Sequence, residues 1–263
     1  MAEVGLVLFA RTALEVMQEV LPAYSGKYSK HTFTQPQLMT ILCLMRFEDW
    51  TFREAEVRLA EHSDLRGALG LERAPDHTTL YRFMRRVSDE MLDEVLIAVA
   101  TRLVPRRRGR KRKKAVVAVD ATGLAPGSIS TFFINRRTDR GEGLPWRHRC
   151  KWTVVVDVLR RCVLAQAARQ GPFNDCATLR PLASAAHEVT PVGLVLADAE
   201  FDSERNHQHV RSVVGAHSVV PAKRGKPAWR RRGVRGEMQR DFPAALYGQR
   251  ALVECVFSAA KRK

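Results

Sequence analysis

The chain has 263 residues, of which 45% are hydrophobic, so it can form a folded core and is not a wholly disordered protein. It carries 44 lysine and arginine residues against 28 acidic ones, and its net charge of +16 favours a polyanionic partner, nucleic acid before a membrane surface. No apolar run reaches the roughly 18 residues of a bilayer span, so we do not expect an integral membrane protein. The short apolar run at residues 4–10 lacks a basic leader, so we do not expect a secretory signal there. Five scattered cysteines without a C-x-x-C pair disfavour a disulfide framework or a cysteine–zinc site, and we expect a cytoplasmic protein.

The first part of the chain, residues 1–104, contains 12 basic and 15 acidic residues and is predicted to be a helical N-terminal domain. Thr51 and Glu54 have the spacing of a capping box, which predicts a helix from there to about residue 61. Glycines at positions 67 and 70 interrupt the pattern, and two further helices are predicted over residues 78–87 and 89–104.

The helix predicted over residues 78–87 has an apolar face and a basic face. Leu80, Phe83, Met84 and Val87 recur at helical spacing and are predicted to pack inward. The remaining faces carry three arginines that could contact DNA: Arg82, Arg85 and Arg86. A short helix, a turn and a helix of this kind are consistent with a helix-turn-helix DNA reader, although a plain helical packing module fits the pattern equally well.

A basic segment, residues 105–114, separates the two parts of the chain. Eight of the nine residues after Pro105 are cations: Arg106, Arg107, Arg108, Arg110, Lys111, Arg112, Lys113 and Lys114. Like charges at this density repel one another, which predicts a solvated linker. We expect it to contact DNA phosphates, and the alternative is a solubilising or localisation patch.

Residues 105–263 hold 32 basic and 13 acidic residues, and the second part of the chain, residues 115–263, has the pattern of a mixed α/β domain. Strands are predicted at residues 115–119, 152–158, 162–168, 192–197 and 217–221, with the second and third forming a hairpin. Helices are predicted from residue 175 to about 187 and from residue 202 or 203 to about 214. Hairpins followed by strand-helix-strand units imply a mixed sheet with helices packed on it.

Two of these apolar strands are predicted to end in a carboxylate, Asp120 and Asp198. Ligand sites in open α/β sheets lie beyond the carboxyl ends of the strands, so these acids are candidate site residues. The alternative for each is an aspartate that begins a turn or caps a helix. Asp157 is ranked lower, as an edge or solvent-face residue, while Glu200 and Asp202 are explained by capping and solvation.

The C-terminal residues predict one continuous helix with a polar ridge. At about 100° per residue, Tyr247, Arg250, Glu254 and Lys261 share a sector of about 60°. The alternative is a surface helix in which Arg250 and Glu254, at i,i+4 spacing, pair with each other.

These four residues match the Y-x2-R-x3-E-x6-K signature, and the second part of the chain resembles the DDE transposases of bacterial insertion sequences. The segments VAVDATGL around Asp120 and LADAEFDSE around Asp198 resemble the first and second acidic motifs of that group, and Thr79–Phe83 resembles the end of its helical N-terminal domain. The resemblance implies a ribonuclease H-like fold over residues 115–263, with Asp120, Asp198 and Glu254 as the catalytic triad. Family members continue past the signature helix, so we expect this catalytic domain to be truncated at its C-terminus.

Three carboxylates without clustered cysteine or histidine suit two Mg²⁺ or Mn²⁺ ions rather than zinc. By resemblance, Asp120 is the shared ligand, Asp198 and Glu254 complete the two metal positions, and Tyr247, Arg250 and Lys261 contact DNA. A further basic track is predicted between the second and third acids, with a solvated loop as its alternative: Lys223, Arg224, Lys226 and Arg230–Arg232.

The sequence thus predicts a metal-dependent DNA transposase that cuts insertion-element ends and joins them to target DNA. The expected partners are double-stranded DNA, in the form of terminal inverted repeats and target, and a second copy of the chain in a homodimer; no membrane is expected. A catalytically inactive, transposase-derived DNA-binding regulator is the first alternative, and a structure-selective nuclease is the second.

Overall fold

The structure, a computed structural model, describes residues 5–28, 31–104, 114–124, 150–170, 175–223 and 232–261. Contacts divide the chain into two compact units, one ending at Val99 and the other beginning at Ala100. No helix within the described ranges is long and apolar enough to cross a lipid bilayer.

The first unit is built from helices, as the sequence predicts. Their bounds are α1 Leu6–Val20, α2 Gln35–Glu48, α3 Phe52–Glu61, α4 Ser63–Ala68, α5 His77–Met84 and α6 Asp89–Leu103, the last of which continues into the second unit. Buried leucines of α2, α3 and α5 form one apolar cluster with residues of α1 and α4. The sequence pattern did not separate α1, α2 and α4.

The capping box predicted at the start of α3 is confirmed. The Glu54 backbone N–H donates to the Thr51 hydroxyl at 3.2 Å, and the Thr51 N–H donates to the Glu54 carboxylate at 2.7 Å. Thr34 and Gln37 make the same reciprocal pair at the start of α2. Each box satisfies backbone donors that the first helical turn leaves unpaired.

Helix α5 has the predicted apolar face with one exception. Leu80 and Phe83 are buried, whereas Met84 is 43% exposed, so its predicted inward packing is wrong. Met84 is the last residue of α5, where the chain leaves the helix and the helical periodicity no longer fixes its direction. The three arginines of this segment, Arg82, Arg85 and Arg86, are exposed. Helix α4 and residues 69–76 lie between α3 and α5, which is a longer connection than the short turn of a simple helix-turn-helix.

The second unit contains a five-stranded mixed sheet flanked by helices, which confirms the predicted α/β class. The strands are β1 Ala115–Leu124, β2 Cys150–Asp157, β3 Cys162–Gln170, β4 Val192–Ala197 and β5 His217–Val219, in the order β3-β2-β1-β4-β5. Strand β2 runs antiparallel to β1 and to β3, and β4 runs parallel to β1 and to β5. The predicted β2–β3 hairpin is therefore confirmed.

The helices of this unit follow the predicted order. They are α7 Leu179–Val189, α8 Glu204–Ser212, α9 Gly233–Arg240, α10 Ala244–Tyr247 and α11 Leu252–Lys261, with single 3₁₀ turns at Asp175–Ala177, Ala199–Phe201 and Gly248–Ala251.

Both faces of the sheet are buried, which explains why its strands are almost continuously apolar. On one face Val117 and Val119 join the cluster formed with α7 and α8. On the other face Ala118 packs with Val253 and Phe257 of α11. Alternate residues of β1 therefore point to different helical layers.

Asp157, expected at an edge or on the solvent face, is buried, with 1% of its side chain exposed. Its carboxylate accepts hydrogen bonds from the Arg160 backbone N–H at 2.9 Å and from the Arg160 guanidinium at 2.6 Å. These bonds hold the turn of the β2–β3 hairpin, so Asp157 has a structural role.

Candidate active site

Asp120 and Asp198 lie side by side at the end of the parallel β1–β4 pairing. The last paired residues of these strands are Val119 and Ala197, and each acid is the next residue of its chain segment. The prediction that Asp198 directly follows its strand is confirmed. The prediction that β1 ends at Asp120 is wrong, because residues 121–124 continue to pair with β2.

The two acids also share one face of the sheet. Ala118 packs towards α11, and Leu196, its partner on β4, packs beside α9. Because side chains alternate along a strand, Asp120, two residues after Ala118, points to that same face, as Asp198 does after Leu196. Burial raises the pKa of Asp120, and the neighbouring Asp198 charge raises it further, against hydrogen bonds and an arginine that lower it.

Arg250 places a positive charge beside the two aspartates. Its Nη1 donates to Asp120 Oδ2 at 2.7 Å, with 20% of the Arg250 side chain and 15% of the Asp120 side chain exposed. Burial alone would lower the pKa of Arg250, but the charges of Asp120 and Asp198 are among those that raise it above its ordinary value. Arg250 does not form the i,i+4 ion pair with Glu254, because its guanidinium points to the sheet and contacts Asp120 instead.

One oxygen of each aspartate is already used by the backbone. Asp198 Oδ1 accepts from the Glu200 N–H at 2.8 Å and so caps the 3₁₀ turn that follows β4. Asp120 Oδ1 accepts from the Ala121 N–H at 2.8 Å. The capping interpretation of Asp198 thus holds for one oxygen, and these bonds fix the orientation of both carboxylates.

The signature residues do not lie on one continuous α-helix, so that prediction is wrong. Tyr247 ends α10, Arg250 lies in the 3₁₀ turn Gly248–Ala251, and Glu254 and Lys261 belong to α11. A 3₁₀ turn rotates the chain by about 120° per residue rather than 100°, which breaks the common sector calculated for an α-helix. The Tyr247 ring packs edge-on against Phe242, with 5.1 Å between centroids, beside an apolar cluster.

Glu254 is in the first turn of α11 and is exposed. Its neighbour Val253 is fully buried against the sheet face that carries Asp120. Among the described residues, no group of three or more acidic, histidine or cysteine side chains is placed to hold a metal ion. The structure therefore brings Asp120 and Asp198 together and does not gather Glu254 with them, so its role as third ligand stays a prediction.

The predicted DNA-contacting residues fall partly outside the described chain. Positions 106–113 and 224–231 lie outside it, and with them most of the basic linker and of the second basic track. Lys114 is exposed, and its Nζ donates to the Gly215 carbonyl at 3.2 Å. Lys261 is the exposed last residue of α11.

Asp202 is the residue whose role the sequence pattern predicts least well. Capping and solvation are expected there, but its side chain is fully buried and forms a two-point ion pair with Arg235, at 2.8 and 2.7 Å. It also accepts from the Lys223 N–H at 2.8 Å. Burial would raise the pKa of Asp202, but the hydrogen bonds from Arg235 and Lys223 outweigh it and lower the pKa. No spacing in the sequence links positions 202 and 235.

Glu204 fixes the start of α9 by accepting hydrogen bonds from the N–H groups of Val234 and Arg235, at 3.1 and 3.2 Å. A carboxylate at this end of a helix is favoured by the helix dipole. The contact requires glycine at position 233, which has a φ of +71°. A Cβ atom there would overlap the Glu204 carboxylate.

Replacing Gly233 with alanine is therefore expected to lower the free energy of unfolding by on the order of 1–3 kcal/mol, because it combines left-handed backbone strain with a collision. Urea denaturation measures the change. Gly248→Ala is the matched control, since Gly248 has a right-handed helical backbone and nothing within 4 Å of its added Cβ. Equal stability of the Gly233→Ala and Gly248→Ala proteins would contradict the contact.

The two acids, with Arg250 beside them, occupy the edge at which open α/β sheets bind ligands, beyond the carboxyl ends of parallel strands. A family model described as a transposase DDE domain matches residues 111–263. A second model, described as a transposase domain (DUF772), matches residues 9–86. The chain therefore belongs to the DDE transposases of insertion-sequence type, which confirms the resemblance. No curated protein sequence matches it.

Proposed function

We propose that this protein is a DNA transposase that cuts the ends of an insertion element and joins them to target DNA by metal-dependent phosphoryl transfer. The observation that carries the proposal is the pairing of Asp120 with Asp198, beside Arg250, in a chain of the DDE transposase family. We assign a ribonuclease H-like fold to residues 115–263. The strand order β3-β2-β1-β4-β5, in which β2 runs opposite to the other four strands, supports that assignment.

The donor chemistry of the site fits Mg²⁺ or Mn²⁺. Its side chains offer carboxylate oxygens. Burial and, to a smaller extent, the Asp198 charge raise the pKa of Asp120, so a cation would stabilise the charged form of this carboxylate. Asp120 would be the ligand shared by two ions, with Asp198 and Glu254 completing the two positions. Bound ions of this kind activate a water or a DNA 3′-hydroxyl and stabilise the leaving 3′ oxygen.

The cationic side chains of the site would bind and orient the DNA backbone. Arg250 can offer a fork of N–H donors to a phosphate once Asp120 has a cation as its partner. Lys261 would act as a point charge further along α11, and Tyr247 would contact a phosphate or a base. Arg82, Arg85 and Arg86 of the first unit would add a second DNA contact, in a helix-turn-helix or related module.

The proposal extends to the partners of the protein. We assign terminal inverted repeats and target DNA as its substrates, a homodimer as its assembly, and the cytoplasm as its location. The basic composition of residues 105–263 supports a DNA partner.

Cleavage of a DNA fragment that carries the element's own ends tests the function. Mg²⁺- or Mn²⁺-dependent nicking at the ends, followed by joining to a second DNA, is the expected result. Cutting without joining would indicate the structure-selective nuclease instead.

A non-catalytic DNA-binding regulator is the second candidate function. The observation that favours it is that Glu254 is not gathered with the two aspartates among the described residues. Tight DNA binding without any nicking in Mg²⁺ or Mn²⁺ would support this function and reject catalysis.

The salt dependence of DNA binding tests the role of the basic linker. Replacing residues 106–114 with an uncharged Gly/Ser segment of equal length is expected to flatten the slope of log K against log salt by about 0.9 for each phosphate that the protein no longer neutralises. Fluorescence anisotropy with a labelled duplex at several salt concentrations measures the slope. If the slope does not change, this segment is not the DNA arm.

A further inference from the structure

A pocket of about 220 Å³ lies beside the loop that carries Asp198. Its lining comes from two segments, the 3₁₀ turn Asp175–Ala177 with the start of α7, and the start of α8. The residues that line this arginine pocket are Cys176, Ala177, Arg180, Ser203, Arg205 and Asn206.

The arginine pocket is held in place by a buried amide. Asn206 is 3% exposed, and its Nδ2 donates to the carbonyls of Cys176 and Phe201 at 2.7 and 2.9 Å. Phe201 closes the 3₁₀ turn that Asp198 caps, so Asn206 ties the pocket to the segment that orients the second acid. The pocket is therefore fixed relative to the candidate active site within the same unit.

The lining of the arginine pocket is positively charged. No carboxylate lines it, and neither Arg180 nor Arg205 has an acidic partner among the described side chains. Arg180 Nε is buried and has no hydrogen-bond partner among the described residues, so no protein acceptor at this atom offsets the positive charge of the guanidinium. The pocket also lies at the N-terminus of the nine-residue helix α8, where the helix dipole is positive. The Ser203 hydroxyl at this end makes no capping hydrogen bond.

We propose that the arginine pocket binds a phosphate group of the DNA backbone, close to the DNA phosphate that reacts at Asp120 and Asp198. Two guanidiniums and a hydroxyl, at the positive end of a helix dipole, match the acceptor oxygens of a phosphodiester. The volume exceeds that of several water molecules, each about 30 Å³, and so admits a phosphate. This subsite rests on the proposed function, since it positions DNA for the site described above.

The test compares the full-length wild-type protein with a variant carrying Arg180→Gln and Arg205→Gln. Arg240→Gln is the matched control, because it removes the same kind of charge from an exposed position of α9 outside the pocket. Binding of a labelled duplex is measured by anisotropy at several salt concentrations, and thermal melting is measured with and without inorganic phosphate.

The double variant is expected to bind DNA about tenfold or more weakly, with a salt slope lower by about 0.9 for each phosphate that it no longer neutralises. Its melting temperature is expected to equal that of wild type, and Arg240→Gln is expected to keep the wild-type slope.

A double variant that melts normally and keeps the wild-type slope, while the wild type cuts DNA, overturns the pocket alone. Stabilisation of the wild type by inorganic phosphate, abolished in the double variant without a change of slope, would assign the pocket to a free anion and overturn the DNA assignment. Failure of the wild type to bind DNA would overturn the pocket and the proposed function together.

Discussion

Replacing Asp120 with alanine is expected to abolish the metal-dependent cutting of element-end DNA. Asp120, whose side chain is 15% exposed, lies between Asp198, the residue after the adjacent strand, and the Arg250 guanidinium, 2.7 Å away, so it is the central acid of the candidate site. Loss of residues that merely support a metal ligand lowers activity about 10- to 100-fold, so loss of a shared ligand should reduce it by more than about a hundredfold. Asp198→Ala is expected to have the same effect.

The control for this experiment separates catalysis from folding and binding. Both variants should still bind DNA, because they remove negative charge from a surface that would face phosphates. Glu237→Gln, which neutralises an exposed carboxylate elsewhere in the same unit, should cut DNA at the wild-type rate. Metal-dependent cutting that survives Asp120→Ala would reject the assignment of Asp120.

Replacing Asp202 with alanine is expected to lower the free energy of unfolding by about 3–5 kcal/mol. The Asp202 side chain is fully buried, and its loss leaves the partly buried Arg235 guanidinium without its partner and the Lys223 N–H without its acceptor. The buried His207 ring, whose Nε2 lies 3.9 Å from Asp202, would also lose the nearby charge. Chemical denaturation of the full-length protein measures the effect.

A second ion pair in the same region provides the control for Asp202. Arg211 and Glu237 also form two hydrogen bonds, both 2.9 Å, but Glu237 is 48% exposed. Because exposed ion pairs contribute about 0–1 kcal/mol, Glu237→Ala should cost much less than Asp202→Ala. Similar losses for the two variants would show that the burial of Asp202 does not matter to stability.

The elements that the sequence predicted best are those determined by neighbouring residues. Strand β4 was predicted with its observed bounds, and the β2–β3 hairpin and the Thr51–Glu54 capping box were also predicted. In each case an apolar run or a capping pair within a few residues suffices to select the structure.

The features that the sequence did not predict depend on contacts between distant residues. Asp120 was expected to end its strand, but residues 121–124 pair with β2, which is about 30 residues away. Arg250 was expected either to pair with Glu254 or to remain on a helical ridge. It instead contacts Asp120, 130 residues earlier. Arg250 lies in a 3₁₀ turn, where the sequence predicted a continuous helix.

The candidate site was predicted in the same uneven way. Strand ends and the resemblance selected Asp120 and Asp198 correctly as neighbours, because parallel strands bring their carboxyl ends to one edge of the sheet. The ion pair of Asp202 with Arg235 could not be predicted, because its partners are 33 residues apart and nothing in their spacing connects them.

Iron-mediated cleavage of the polypeptide would show whether the three carboxylates hold metal together. Fe²⁺ replaces Mg²⁺ at oxygen-ligand sites, and with ascorbate and peroxide it cuts the backbone next to the residues that bind it. We expect cuts near residues 120, 198 and 254 in the DNA complex, all suppressed by excess Mg²⁺ and by Asp120→Ala. Cuts near 120 and 198 without one near 254 would remove Glu254 from the site, and the absence of Mg²⁺-sensitive cuts near any of the three would contradict a metal centre formed by these carboxylates.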